Sequence, residues 1–233
     1  MGEKHRSRLL GWRPSASNGA MLRGERVGLR ARVESDVGVL HAELYDDVIT
    51  RSRADTRPWR PVSPTSDAAP FRVSEPGDDW ADFSVVELAE PGALAGSAIL
   101  WGIDQHNRSA HVGISLRPAF RGRGLGADTL RVLCAYAFRT RGLHRLSLET
   151  LSDNLAMIAA AESAGFRREG VFREAAWVDG DFLDEVVFGL LANRSSAGAA
   201  PAASIGGRPE PNPDDVVDEA GRESFPASDP PAF

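Results

Sequence analysis

The stretch Arg121-Gly122-Arg123-Gly124-Leu125-Gly126 follows the apolar run His111-Val112-Gly113-Ile114-Ser115-Leu116 and Pro118, and it opens a helical segment over Ala127–Thr140. A glycine-rich turn at the head of a helix presents backbone N–H groups without acceptors and the positive end of the helix dipole. That combination is an anion site, and pyrophosphate is its commonest biological occupant. The glycines are needed because a side chain there would hold the phosphate off the backbone.

Working outward, Val27–Arg32 alternates as a strand and Glu34–Tyr45 carries Val37, Leu40, His41 and Leu44 at helical spacing. Arg51–Glu75, rich in Pro, Ser and Arg, reads as a long loop of the kind that is usually functional or disordered. Phe83–Leu88 and Ala93–Trp101 are strands joined at Pro91-Gly92, and Ala110–Leu116 is a further strand. Beyond the glycine turn, Arg145–Thr150 alternates as a strand. Asp153 or Asn154 then caps a short helix that stops at Gly165. Phe166–Trp177 and Phe182–Leu191 form a hairpin across Asp179-Gly180.

The chain has 233 residues, enough for one full core, with ordinary hydrophobic (42%) and charged (26%) content. Its net charge of −6 is uneven: residues 193–233 hold seven acids against three arginines, and residues 1–21 hold four basic residues against Glu3. Such a balance argues against a dedicated nucleic-acid binder. The single Cys134 allows no internal disulfide framework or cysteine-cluster metal site and reads as core filler. The absence of a long apolar run and of an apolar leader predicts a cytoplasmic, soluble protein with no membrane contact. Three regions are expected: a flexible extension over 1–21 (with Met21 as an alternative start), a folded domain over 22–192, and a disordered acidic tail over 193–233.

The order strand, helix, three strands, glycine turn with helix, strand, short helix and closing hairpin resembles the GNAT N-acetyltransferase superfamily. The residues that carry the resemblance are Arg121, Gly124 and Gly126, which match its acetyl-CoA signature, and Asn154 followed by Glu162-Ser163-Ala164-Gly165-Phe166. Leu22–Arg30, Arg57-Pro58-Trp59-Arg60-Pro61 and the closing Glu169-Gly170, Asp179-Gly180 and Asp184 further resemble the RimJ/RimL-like ribosomal-protein N-terminal acetyltransferases. The resemblance implies an α/β (α+β) fold: a mixed, mostly antiparallel sheet of six to seven strands, splayed at the acetyl-CoA site and flanked by helices. It implies acetyl-CoA as co-substrate without a metal, and an α-amine at a protein or peptide N-terminus as acceptor. Small-molecule amine acylation and a catalytically weak acyl-CoA-binding module are the alternatives. Either a monomer or a homodimer is compatible with it.

By the same resemblance, the amides of Arg121, Gly122, Arg123, Gly124, Leu125 and Gly126 hold the CoA pyrophosphate. Ile114, Ser115 and Leu116 pair with the pantetheine arm as an added strand would, and one of their N–H groups stabilises the oxyanion. Asn154 touches pantetheine or caps its helix. Trp59 lies over the acceptor or closes the core beneath its loop.

Three side chains that perform chemistry in such relatives are replaced by Ala161, Met157 and Ala176. A thiol leaving group of pKa ~8.5 departs without much help from an acid. Only the acceptor sets the need for a base: at pH 7 an α-amine is ~10% neutral, a lysine amine only ~0.04%. The pattern therefore favours a low-pKa amine. The candidate bases are His111, at the start of the strand before the glycine turn, Glu149, and Glu174, two residues from Ala176. Each is also readable as a solvated surface residue. The arginines Arg51, Arg53, Arg57 and Arg60 around Trp59 suggest a contact to an acidic substrate or to the CoA ribose phosphate, or a solvated surface. In the tail, Glu223–Pro231 around Phe225 resembles a docking peptide set in a solubilising segment.

Overall fold

The computed structural model describes residues 21–192, apart from Thr56, Pro76 and Pro91. The N-terminal extension and the acidic tail with its docking peptide lie outside the described residues. The elements run β1 (Met21–Arg23), β2 (Val27–Arg30), α1 (Glu34–Leu44), α2 (Val48–Ala54), β3 (Trp80–Glu87), β4 (Leu94–Asp104), β5 (Ser109–Leu116), α3 (Leu125–Ala135), β6 (Arg145–Leu151), α4 (Leu155–Ala164), β7 (Arg167–Val178) and β8 (Asp181–Leu191). A single 3₁₀ turn, Pro118–Phe120, precedes the glycine loop, and a π turn, Tyr136–Thr140, continues α3.

The strands form one eight-stranded sheet in the order β1-β2-β3-β4-β5-β6-β8-β7, antiparallel except for β5–β6. The sheet thus holds more strands than the six to seven expected, because Met21–Arg23 pairs with β2. The interval read as one long loop also differs, since its first residues finish helix α2, capped by Asp47 accepting from the Thr50 amide.

Adjacent residues of β4 go to different cores, Ala95 to the main one and Leu94 to a smaller one. Successive strand side chains point to opposite faces, so the two cores lie on opposite faces of the sheet. On one face α3 and α4 cover Leu29, Val85, Leu100, Val112, Leu146, Leu148 and Phe188. On the other, Leu40 and Leu44 of α1 and its C-cap Tyr45 pack against Phe71 and Leu94. Cys134 is buried in the main core, where desolvation pushes its thiol far above the ordinary value, so it is no nucleophile.

Two buried carboxylates organise turns. Asp128, in the first turn of α3, accepts from the amides of Glu25 (3.3 Å), Arg26 (2.8 Å) and Val27 (3.1 Å). Asp36, in the first turn of α1, accepts from both terminal nitrogens of Arg30 (2.6 and 2.8 Å), from Ser84 Oγ (2.7 Å) and from the Val33 amide (3.1 Å). Burial pushes the Asp36 carboxyl upward, but the donors Arg30, Ser84 and Val33 outweigh it and hold it below the ordinary aspartate value. A depressed folded value means that Asp36 stabilises the fold above the unfolded aspartate pKa of ~3.9 and loses that contribution as pH falls through the folded value. Asp36→Asn is expected to flatten the acid limb of stability, read as denaturant midpoint against pH, and to lower stability at neutral pH.

Candidate active site

Strands β5 and β6 begin side by side, with Ser109, Ala110 and His111 opposite Arg145, Leu146 and Ser147. Beyond that point they separate, and among the described residues Val112–Leu116 keeps only β4 as a strand partner. The Arg117 amide donates to Ala95 O at 2.9 Å, so by antiparallel alternation Ile114 and Leu116 aim their N–H and C=O away from β4, into the split. Leu116 O is taken by Arg121 Nε at 2.9 Å. The Ile114 and Leu116 amides remain there as donors for an extended ligand.

The glycine loop closes one end of this split. Gly122 (φ 71°) and Gly124 (φ 75°) both adopt the left-handed conformation that side chains disfavour, and Gly124 is the N-cap of α3. A Cβ at Gly122 would stand in open space, so the loop is a cradle rather than packed core. The amides of Gly122, Arg123, Gly124, Leu125 and Gly126 have no acceptor among the described residues. Arg26 braces the loop from outside, donating to Arg123 O at 2.9 Å. The Arg123 side chain turns away to Glu87 (2.7 Å). Five free amides and a helix dipole fit a pyrophosphate without any side-chain cation.

Two cavities meet at the split. The first, about 930 Å³, is lined by Ile114, Ser115, Leu116, the loop and the Met157–Ala160 face of α4. The second, about 960 Å³, is lined by Arg32, Phe71, Arg72, Asp82, Trp101 and His111 on the α1 face of the sheet. Gly113, Ile114, Ser115, Glu149 and Glu185 belong to both. Where the cavities join, His111 Nδ1 lies 3.1 and 3.2 Å from the two Glu149 carboxylate oxygens, and its ring stacks on Trp101 (centroids 5.4 Å apart). Burial and the charge of Glu149 push the Glu185 carboxyl above the ordinary glutamate value.

The structure brings together Ile114, Ser115, Leu116, the glycine loop, His111, Glu149 and Asn154. Asn154 is a helix cap, its Oδ1 accepting from the Met157 amide (3.2 Å) and its Nδ2 donating to Thr150 Oγ1 (3.1 Å), while its side of the loop lines the first cavity. One expectation fails, and Trp59 takes the second of its two readings. Glu174 lines neither cavity; it is exposed, at φ 51°, in a bulge where four steps of β7 (Phe172 to Ala176) span two of β8. Two extra residues break the alternation that placed it on the face of Ala176. Trp59 packs with Tyr45 and donates from Nε1 to Tyr45 O at 3.0 Å, closing the smaller core and lining neither cavity. Its loop arginines are likewise engaged: Arg51 and Arg57 share Asp55, and Arg53 pairs with Asp153 at 2.6 Å.

Sequence reading missed Trp101, Gly113 and Glu185. Alternation along β8 from the buried Val186 and Phe188 could have placed Glu185 on the opposite face, alongside Glu149. A Cβ at Gly113 would come within 2.9 Å of the Trp101 ring, so this glycine keeps the junction open.

A split sheet with a phosphate cradle at its edge and a basin of carboxylates on one face defines an acyl-CoA-type transferase fold. Residues 26–167 match the Acetyltransferase (GNAT) domain family, and the chain belongs to that family. A Bacillus subtilis protein provisionally named a ribosomal N-acetyltransferase, YdaF, is 34% identical over 100 residues, covering 43% of this chain and 55% of that protein. The chain therefore spans about half the length of that relative. Among solved structures, a spermidine N-acetyltransferase from Vibrio cholerae in complex with CoA and spermine shares the fold, with TM-score 0.58, 21% identity, and coverage of 71% of this chain and 95% of that one. A ribosomal L7/L12 α-N-protein acetyltransferase in complex with CoA does so with TM-score 0.56, 20% identity, and coverage of 72% and 95%. Among the described residues no helix is long and apolar enough to cross a membrane, and no group of His, Cys, Asp and Glu is arranged to hold a metal ion.

Proposed function

We propose that the chain transfers the acetyl group of acetyl-CoA to a primary amine, and that the amine is the α-amine of a protein or peptide N-terminus. The observation that carries this reading is the pair of unmatched amides, Ile114 and Leu116, in the split next to five more in the glycine loop. The loop amides receive the pyrophosphate and Leu116 pairs with the pantetheine arm. The Ile114 N–H faces the thioester oxygen.

The acceptor enters from the second cavity and its nitrogen attacks the thioester carbonyl carbon. The C–N bond forms while the carbonyl electron pair moves to oxygen, where the Ile114 amide stabilises it. Glu149 holds Nδ1–H of His111, which leaves the Nε2 lone pair to take the proton released by the amine. The oxyanion then collapses, the C–S bond breaks, and CoA leaves as the thiolate. No side-chain acid is required for that step: Ala161 is packed in the core and Met157 and Ala160 supply an apolar wall.

An imidazole, as a weak base, suits an α-amine better than a lysine amine, which supports an α-amine acceptor. With ~10% of the α-amine already neutral at pH 7, a base can contribute only about tenfold to its deprotonation. Accordingly His111→Ala is expected to lower kcat/KM about tenfold near neutral pH and to recover toward wild type as pH rises through the amine pKa. Glu149→Gln should lower it less and shift the acid limb of the same profile. A pH-independent loss in His111→Ala would remove His111 from the proton path.

The reading is tested by CoA thiol release from acetyl-CoA with short peptides that begin with Ser, Ala or Thr. Each is matched to an N-terminally blocked, lysine-containing copy, with polyamines and aminoglycosides alongside. Turnover confined to free N-termini upholds it. Turnover confined to small amines reassigns the acceptor, and acetyl-CoA binding without turnover leaves an acyl-CoA-binding module.

A further inference from the structure

The second cavity is lined by side chains of both charges, among them Arg72, Glu149 and Glu185. Arg32 is matched to Asp82 and donates to Ser97 Oγ at 2.8 Å. Arg51 and Arg57 share the one carboxylate of Asp55, which leaves that cluster with a surplus positive charge. Arg72 has no ionic or hydrogen-bonding partner for its guanidinium among the described residues, and it lines the second cavity but not the first. At the split stand Glu149 and Glu185; Glu149 meets only an imidazole, and Glu185 has no partner among the described residues.

The backbone of Arg72 is also held, although its side chain is exposed. The residues before it, Ala69 and Phe71, are buried, and its own amide donates to Ala69 O at 3.4 Å. Its side chain is thus anchored at the base but free at the tip. A guanidinium held this way recognises a carboxylate or phosphate without first paying to order its loop.

We propose that the acceptor carries an anionic group of its own near the reactive amine: the ammonium docks between Glu149 and Glu185, and Arg72 receives the anion. The inference rests on the acyl-transfer reading of the site and narrows its substrate to amines with a carboxylate or phosphate close by. An acidic residue just after the N-terminus of a peptide and the carboxylate of a free acidic amino acid both present this chemistry. The raised Glu185 carboxyl fits a group that gains when an ammonium arrives, since two neighbouring carboxylates without a cation disfavour full ionisation. Arg72 lines the second cavity alone and the glycine loop lines the first alone, so acyl-CoA binding does not depend on Arg72.

The experiment compares Ser-Asp-Ala amide, Ser-Asn-Ala amide, free aspartic acid α-amide and free asparagine amide as acceptors with the full-length wild type, Arg72→Gln, Arg72→Glu and Glu185→Gln. Acceptor affinity is read by calorimetry on the CoA-loaded protein, and kcat and KM by thiol release. Wild type is expected to favour an acidic acceptor over its neutral isostere by about tenfold, the scale of one exposed charged hydrogen bond. Arg72→Gln should abolish that preference through KM and Kd alone, and Arg72→Glu should invert it. Glu185→Gln should weaken acidic and neutral acceptors alike. A preference confined to the peptide pair or to the amino-acid amide pair names the source of the anion. Equal affinity for acidic and neutral acceptors, or a preference untouched by Arg72, overturns the proposal. A preference in binding that depends on Arg72 but leads to no turnover upholds the anion site and overturns acyl transfer instead.

Discussion

Gly124→Val is expected to weaken acetyl-CoA binding about 100-fold while the protein remains folded. Gly124 sits at φ 75°, ψ 3°, as the N-cap of α3, in the middle of the five unmatched amides. A β-branched residue is strained in that conformation, and its Cβ would stand 3.4 Å from the Arg26 guanidinium that braces the loop. The loop therefore rotates out of the left-handed region and swings its amides off the phosphate. Losing two amide contacts to a doubly charged pyrophosphate, at ~1.5 kcal/mol each, amounts to ~3 kcal/mol, or about 100-fold in Kd. Because the loop lies on the surface and its cradle is open, the thermal midpoint should move little. Titration calorimetry with CoA checks the first expectation and differential scanning calorimetry the second. Unchanged affinity would remove the loop from cofactor binding.

Asp128→Ala has the opposite profile, with a large effect on stability and a secondary one on binding. One carboxylate satisfies three consecutive amides, of Glu25, Arg26 and Val27, at the corner that turns β1 into β2. Its removal strands those donors beside a buried strand, for a loss of ~3–4 kcal/mol out of a typical total of ~5–15 kcal/mol. The urea midpoint should fall with the slope nearly unchanged. Asp128→Asn keeps one acceptor oxygen and should lose about half as much. The same corner carries Arg26, whose side chain holds Arg123 O. CoA affinity should therefore weaken in both variants in proportion to the loss of stability.

The legible parts of the fold are those marked by local chemistry. Glycine at 122, 124 and 126, the Asn154 cap with Gly165 (φ 100°), and Asp179-Gly180 with positive φ at both turn residues (49° and 93°) are short-range signals, and each sits where it was read. Features that depend on pairing between distant segments were out of reach. The split between β5 and β6 is a matter of where two strands stop sharing hydrogen bonds, and no pattern within either strand encodes it. The two extra residues near Glu174 have no composition signal, so an alternation argument carried through them ended on the wrong face. His111 and Glu149 are each readable as candidates, whereas their approach to within 3.1 Å follows from parallel pairing between strands, at a sequence separation of 38.

The bulge in β7 has a second consequence, for how molecules of this protein behave in a crowd. Among the described residues β7 is one of the two edge strands, and it carries exposed Phe172 and Trp177, with Phe182 beside Trp177. Twelve residues of straight, aromatic strand would be a template for any other unpaired strand that met it. The bulge interrupts that template between Phe172 and Ala176, and Arg173 and Glu174 place charge at the break. Irregularity at this position keeps the sheet from growing sideways into its neighbours, which lets so much aromatic surface stay in water.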